Sequence, residues 1–526
     1  MSETGLLARR AGLVALGTFA SRILGLAQTS VVAALFSVAS TDAFFIAYTI
    51  PNTLRMLLGE GAISNAFVPV FSQVRSERGQ IAGRDFLARF GGALSVLLLL
   101  ACAAGALAAP LIALGYAGGL RDEPQRFALV VTLTRLLFPI LAFAGWAALC
   151  TGVLNVLGNF ATPALAPALQ NIAMIAAPFA LATTMPRAGL DPILALAIGA
   201  LVGGVLQILV QLPALRRAGM LPSFALPRGD TDVKRALSLM APLTLGFGVY
   251  QLNMLLSRLF ASFLPAGSVS YLNYGQRVIE IPQGMFALAV ASAALPTLAR
   301  LRIEGKRDEL LTLFRYSLRL TLFIAVPASL ALFAVAEPIA AVLFGRGRFT
   351  PESIVETGRS LAVQGLGVWA VAAVRTVIPM FAAHQDTRTP VLASATNLVI
   401  FLGLTSALLA PLSHVALAAA NSFAAAVQLA VLLVALRKHT GPLGLGAVFR
   451  SSLRVLLASV GMALVARAVA SRFEWSHPSH ELWRIGAFAL VGLAAVVSFL
   501  LFAALLRAPE LRELAATVRR RRSRAT

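Results

Sequence analysis

The sequence predicts an all-α polytopic membrane protein: fourteen transmembrane helices, as two pseudo-symmetric six-helix lobes plus two extra C-terminal helices. Three observations predict it. The 526-residue chain is 58% hydrophobic and 13% charged, with mean hydropathy +0.83, too little charge to cover a soluble protein of this length. Apolar stretches of about 20 residues, enough to cross a bilayer core, recur from end to end. The two halves also carry copies of one sequence pattern.

The first span, near 13–38, is too long for a signal-peptide core and lacks a small-residue cleavage site, so it reads as retained. Spans near 43–72, 86–114, 127–155, 162–183 and 190–214 complete the first lobe (1–220). The second lobe (221–445) holds spans near 236–263, 267–297, 310–335, 355–383, 389–410 and 413–436. The last pair, near 447–470 and 483–507, belongs with a basic tail in 446–526.

Loop charge sets the orientation. The loop after span 2 carries Arg75, Arg78, Arg84 and Arg89 against Glu77 and Asp85. The loop after span 6 carries Arg216, Arg217, Arg228, Lys234 and Arg235 against Asp230 and Asp232, and Arg437 and Lys438 follow span 12. Intervening loops are balanced or neutral, so the positive-inside rule places both termini in the cytoplasm. The net charge of +22 thus reads as topology and not as nucleic-acid binding. The tail R-R-R-R-S-R (519–524) suits anionic phospholipid headgroups. Cys102 and Cys150 fall inside spans and read as small buried hydrophobes.

The repeat is visible without a gap in L-Q-I-L-V-Q-L-P-A-L-R-R (206–217) and V-Q-L-A-V-L-L-V-A-L-R-K (427–438). Gln207, Leu212, Ala214, Leu215 and Arg216 return as Gln428, Leu433, Ala435, Leu436 and Arg437. Thr162-Pro163 before span 5 returns as Thr389-Pro390 before span 11, with Asn171 and Asn397 following. An even number of spans per copy makes the copies parallel, an arrangement of transporters that work by alternating access.

Charge inside a span is costly and marks a functional site by default. Arg22 stands near the middle of span 1; Arg55 and Glu60 lie in span 2, and Arg277 and Glu280 in span 8. Asp42 sits at the 1–2 turn, where it could instead cap span 2. Arg135, Arg258 and Arg375 have plainer readings as helix ties or snorkelling side chains. Gln207 and Gln428 read as helix–helix glue.

Span 2 reads P-N-T-L-R-M-L-L-G-E-G (51–61), with Pro51, Asn52 and Arg55 on one face and the Gly59 and Gly61 pair beyond. Span 8 reads Y-G-Q-R-V-I-E-I-P-Q-G (274–284), again with arginine, acid, Pro282 and Gly284. Matched broken segments in two halves point to a binding site. Arginine exceeds acid there, and guanidinium suits phosphate or carboxylate. No phosphate-binding G-x-x-x-x-G-K-[ST] loop and no HExxH motif occur, so neither an ATPase nor a metalloenzyme is expected, and the sequence assigns no metal ligands.

S-R-I-L-G (21–25), T-D-A-F-F (41–45), P-N-T-L-R (51–55), E-G-A-I-S-N-A-F-V-P (60–69), S-V-S-Y (268–271), Q-R-V-I-E-I-P-Q-G (276–284) and Q-D-T-R-T-P (385–390) resemble the MurJ (MviN) family. These are lipid II flippases within the multidrug/oligosaccharidyl-lipid/polysaccharide exporter superfamily. The resemblance implies a non-enzymatic transporter in the bacterial inner membrane, with lipid II as cargo and the cell-wall synthesis machinery as partner. It implies that Arg22, Arg55 and Arg277 line a cavity for the lipid II headgroup and that Asp42 and Glu60 are important acids; Gly25, close to Arg22, gives the backbone of span 1 room to adapt. The resemblance also implies that spans 13 and 14 form a groove for the polyprenyl tail. Gln28 stands where some members carry a further arginine, and Ser257 where some carry an aspartate linked to sodium; no cofactor is expected, and coupling to a monovalent cation is open. The alternatives are a polysaccharide-lipid or drug exporter of the superfamily and, from another class, a polyprenyl-phosphate-dependent glycosyltransferase.

Overall fold

The computed structural model describes residues 3–58, 63, 66–226, 229–283, 288–475, 481–511 and 513. Every regular element among them is helical. The chain forms two compact units, residues 1–270 and 271–526.

The first unit contains α1 (Glu3–Leu35), α2 (Val38–Met56), α3 (Val68–Leu107), α4 (Ala109–Tyr116), α5 (Pro124–Leu137), α6 (Ile140–Val156), α7 (Ala161–Leu181), α8 (Leu194–Leu209), α9 (Leu212–Arg217) and α10 (Thr231–Ala261). Local chemistry sets several ends. Ser37 caps α2 by accepting the Ser40 N–H at 3.3 Å. Asp230 caps α10 by accepting from Asp232 and Val233 at 2.9 and 3.2 Å. Gly199 and Gly203 let α8 approach α7 closely: a Cβ at Gly203 would lie 2.7 Å from the Gln170 Cα.

One difference from expectation concerns the loop after span 2. The charged run Q-V-R-S-E-R is built of good helix formers, and α3 continues through it, broken at Gly79 (φ 82°). Its arginines are braced by the next basic segment, Arg78 to Asp232 at 2.7 Å and Arg89 to Asp230 at 2.8 Å. Below them Phe67, Phe71, Phe86 and Phe90 stack with centroids 4.7–5.9 Å apart and head an apolar core with Leu94, Leu149 and Val153.

Helix α11 (Ser268–Pro282) begins at the end of the first unit and continues into the second. There follow α12 (Leu288–Ile303), α13 (Arg307–Ala334), α14 (Ala336–Phe344), α15 (Pro351–Leu366), α16 (Val368–Ala383), α17 (Arg388–Leu412), α18 (His414–Thr440), α19 (Gly446–Ala470) and α20 (Glu481–Leu505). Phe314, Leu318, Val377, Phe381, Leu432 and Leu436 form its main core. A second cluster joins Phe323 and Val326 of α13 to Val455, Ala458 and Ala503.

Each unit uses the same pairings. In the first, α3 packs on α6, α4 on α5, α7 on α8 and α6 on α8. In the second, α13 packs on α16, α14 on α15, α17 on α18 and α16 on α18. Ten helices or helix pairs among the described residues are long and apolar enough to cross a membrane, and they fall on predicted spans 3–6 and 9–14. Predicted spans 1, 2, 7 and 8 fall on α1, α2, α10, and α11 with α12. These four segments bring in-span arginine or acid, or adjoin residues outside the described set.

Candidate functional site

In the first unit, Arg55 ends α2 and is held from one turn earlier. Its Nε and Nη2 both donate to Asn52 Oδ1, at 3.0 and 2.8 Å. Pro51, buried in the same turn, cannot donate to the helix ladder, and beyond Met56 the backbone widens into π-helical turns at Leu57–Leu58 and Ala66–Phe67. Such irregular backbone at membrane depth is tolerated where it is buried or lines a cavity. Gly59, Glu60 and Gly61 lie outside the described residues. Asn52 thereby holds Arg55 through two of its five N–H donors, and the other three do not bond Asn52.

Arg22 is half-buried on α1. The preceding carbonyl, Ser21 O, accepts from Asn171 Nδ2 of α7 at 2.9 Å. One turn on, Thr29 Oγ1 donates to the carbonyl of Gly25 at 2.8 Å, the kind of back-bond that bends a helix. Gln28 is buried, at 6% exposure.

Asp42 is 3% exposed and both its oxygens are engaged. Oδ2 accepts the Gly267 N–H at 2.5 Å, and Oδ1 accepts the Ser270 N–H and Ser270 Oγ–H at 2.7 Å each. Arg126 Nη2 stands 3.7 Å away while its Nη1 pairs with Glu123 at 2.8 Å. Thr41 Oγ1 lies 2.7 Å from Ser270 Oγ. The carboxylate thus caps the first turn of α11, and Ser37 caps α2 in its stead. S-V-S-Y stood out in the sequence, but nothing there linked it to Asp42 or Arg126.

In the second unit, Arg277 Nη1 pairs with Glu280 Oε2 at 3.0 Å, both partly exposed, as their spacing on one face of α11 requires. After the half-buried Pro282 the helix opens at Gln283, and Gly284 lies outside the described residues. Arg375 of α16 donates to the Gln283 carbonyl at 3.4 Å. Pro282 and Gln283 border a small pocket with Thr321, Ala325 and Ala372.

The remaining in-span polar groups sort by their partners. Arg135 is exposed and Arg258 half-buried. Gln207 Nε2 donates to Gln170 Oε1 of α7 at 2.5 Å. Gln428 receives Asn397 Nδ2 at 3.1 Å and donates to Ser394 Oγ of α17 at 3.2 Å. The two repeat-related glutamines therefore tie matching helix pairs. No cluster of three or more metal-ligating side chains occurs among the described residues.

Comparisons with known proteins bear on the family and the fold. The family model "Lipid II flippase MurJ" matches residues 31–490. The "Lipid II flippase MurJ" of Burkholderia cenocepacia is 34% identical over 469 residues, covering 87% of this chain and 89% of the relative. The "Probable lipid II flippase MurJ" of Vibrio cholerae is 35% identical, covering 80% and 81%. A solved "Lipid II flippase MurJ, inward closed conformation" superposes with TM-score 0.77 at 25% identity, over 96% of this chain and 99% of that one. An inward-facing multidrug resistance MATE transporter of the MOP superfamily superposes with TM-score 0.64 at 15% identity, covering 81% of this chain and 96% of its own, which shows a shared fold. With residues 31–490 inside the family match, the chain belongs to the lipid II flippase MurJ family.

Proposed function

We propose that the protein carries lipid II, undecaprenyl-pyrophosphate bearing a disaccharide-pentapeptide, from the inner to the outer leaflet of the bacterial cytoplasmic membrane by alternating access. It is a transporter and not an enzyme. The observation that carries the reading is Arg55, oriented by Asn52 in the last turn of α2, just before the backbone turns π-helical at Leu57, in a chain of this family. Arg277 occupies the matching broken segment of the second unit. Guanidinium groups replace the hydration that a pyrophosphate loses on entering the bilayer.

In the full reading Arg22, Arg55 and Arg277 bind the pyrophosphate, helped by Gln28, Asn52, Glu60 and Glu280, while Asp42 acts through the turn it caps. Gly25, Pro51, Gly59, Gly61, Pro282 and Gly284 supply the backbone breaks. The chain has fourteen spans in segments 1–220, 221–445 and 446–526, with both termini in the cytoplasm. We assign it no cofactor. The membrane potential drives the anionic cargo outward, by about 2.3 kcal/mol per charge per 100 mV, and draws the empty cationic cavity back. The basic tail rests on anionic phospholipids, and the cell-wall synthesis machinery consumes the delivered cargo.

The test is replacement of Arg22, Arg55 and Arg277 by alanine, one at a time, in cells depleted of their own flippase. Each variant should accumulate in the membrane and fail to support growth or outer-leaflet lipid II. Stable variants that sustain both overturn the reading.

A further inference from the structure

Helix α20 carries a buried cation in its first turn. Arg484 is 6% exposed, and no carboxylate pairs with it among the described residues. Its Nη2 donates to the Gly345 carbonyl at 3.1 Å. The other nitrogens, Nε and Nη1, bond nothing among the described residues and are not fully enclosed. A buried charge without a counter-charge is strongly destabilising, so this guanidinium has donors to spare and a need for an anion.

The backbone that receives Arg484 is a tight turn. Arg346, Gly347, Arg348 and Phe349 close it through the Phe349 N–H, which bonds the Arg346 carbonyl at 3.1 Å, with Gly347 at φ 59°. Glycine takes that conformation without steric cost. Phe349 anchors the turn against Tyr274 and Phe344, with centroids 5.5 and 6.0 Å away. Gly345 lets the guanidinium lie on the backbone: a Cβ there would stand 3.0 Å from Arg484 Nη1.

One acid serves this place. Arg346 Nε pairs with Glu481 Oε1 at 3.3 Å, and Glu481 stands three residues before Arg484 on the same face of α20. From Pro338 to Pro351 the chain has no acid at all. Two guanidinium groups therefore meet one carboxylate, leaving a net charge of about +1. The level is that of the headgroups. Trp483, next to Arg484, is 62% exposed and meets Phe473 edge-on at 5.9 Å, and such aromatic residues gather at the membrane–water interface. Loop charge orients this edge to the outside, where the positive-inside rule gives arginine no topological task.

We propose that Arg484 and Arg346 form a phosphate site at the extracytoplasmic edge of α14 and α20, occupied by the phosphodiester of an anionic phospholipid in the outer leaflet. Arg484 supplies a buried guanidinium already in place, and Arg346 an exposed one that Glu481 restrains. The single negative charge of a phosphodiester matches the single charge left over, and its oxygens accept charge-assisted hydrogen bonds from both forks. The site is independent of the flippase reading and rests on the orientation set by loop charge.

The test uses the full chain in phosphatidylcholine nanodiscs to which phosphatidylglycerol is added, with amide hydrogen exchange at residues 345–349 as the readout. Phosphatidylglycerol should slow exchange there in the unaltered protein. Arg484→Gln and Arg346→Gln should each raise the half-saturating phosphatidylglycerol fraction by about tenfold. Glu481→Gln, which releases Arg346, should lower it severalfold. An Arg484 that only ties α20 to the turn would speed exchange in Arg484→Gln with or without the lipid and leave Glu481→Gln without effect, which overturns the site. Should Arg484→Gln fail to reach the membrane, Arg346→Gln and Glu481→Gln decide by themselves. Exchange that phosphatidylglycerol does not slow, or one lipid dependence shared by all variants, also overturns it. Equal protection by inorganic phosphate in phosphatidylcholine alone overturns the lipid assignment and leaves a site for a free anion.

Discussion

Asn52 accepts two hydrogen bonds from one guanidinium, Arg55 Nε and Nη2, at 3.0 and 2.8 Å. The pair fixes an arginine whose long side chain otherwise samples many rotamers, and pre-organisation of this kind is what an anion site needs. Asn52→Ala should therefore resemble a weak Arg55 variant. A hydrogen bond to a charged group contributes about 1.5–3 kcal/mol, so flipping at subsaturating lipid II should fall by about tenfold to a hundredfold. Asn52→Asp, which keeps the acceptor but neutralises the arginine, should be at least as damaging. Transport in vesicles decides it: full activity of Asn52→Ala would show that Arg55 is placed by other contacts.

Asp42 invites a stability measurement. Its carboxylate satisfies the Gly267 and Ser270 N–H groups at the start of α11, and a buried donor left unpaired costs about 1–3 kcal/mol. Asp42→Ala should destabilise the protein by roughly 2–4 kcal/mol and speed amide hydrogen exchange at 267–270. Asp42→Asn, which retains one acceptor oxygen, should fall between. Exchange at 267–270 that is identical in all three proteins would dismiss the capping role.

A pH dependence follows from Asp386 in the turn before α17. Hydrogen bonds from Thr389 Oγ1 and from the Thr389 and Arg388 N–H groups, with His439 3.0 Å away, hold its carboxyl below the usual carboxylate range. A depressed folded-state pKa gives stability that is present above the unfolded value of about 3.9 and is lost as pH falls through the lower folded value. Melting temperature should thus be insensitive to this group at neutral pH and decline below about pH 4. Asp386→Asn should lower the neutral-pH plateau and flatten that part of the acid limb. The comparison is a set of melting curves of both proteins from pH 3 to 7.

Much of this was legible in the sequence because a membrane simplifies the reading. Apolar length, loop charge and the 206–217/427–438 copy are direct consequences of bilayer thickness and gene-level repetition, and in-span arginine is conspicuous by cost. Asn52 and Arg55 could be paired from their spacing alone. What escaped depends on contacts distant in sequence: Asp42 meets Gly267 and Ser270, and Arg375 meets the Gln283 carbonyl. No periodicity encodes which backbone group is orphaned. The charged run 73–78 misled in the opposite sense, since the residues that mark a loop by charge are also strong helix formers.

Gln207 and Gln428 permit a paired experiment on the repeat itself. Gln207 bonds Gln170 on α7, and Gln428 bonds Asn397 and Ser394 on α17, so equivalent helix pairs are tied by different partners. Inter-helix hydrogen bonds in membranes average about 0.6 kcal/mol with a ceiling near ~1.7. A double-mutant cycle of Gln170→Leu with Gln207→Leu should give a coupling of about 0.5–1.7 kcal/mol, and Asn397→Leu with Gln428→Leu a value in the same range. Because the pairs lie in separate units and share no partner, combining Gln207→Leu with Gln428→Leu should be additive within about 0.5 kcal/mol. Unfolding in a detergent–denaturant series measures all three. A near-zero coupling in either cycle would reduce that glutamine to a buried polar residue without a structural tie.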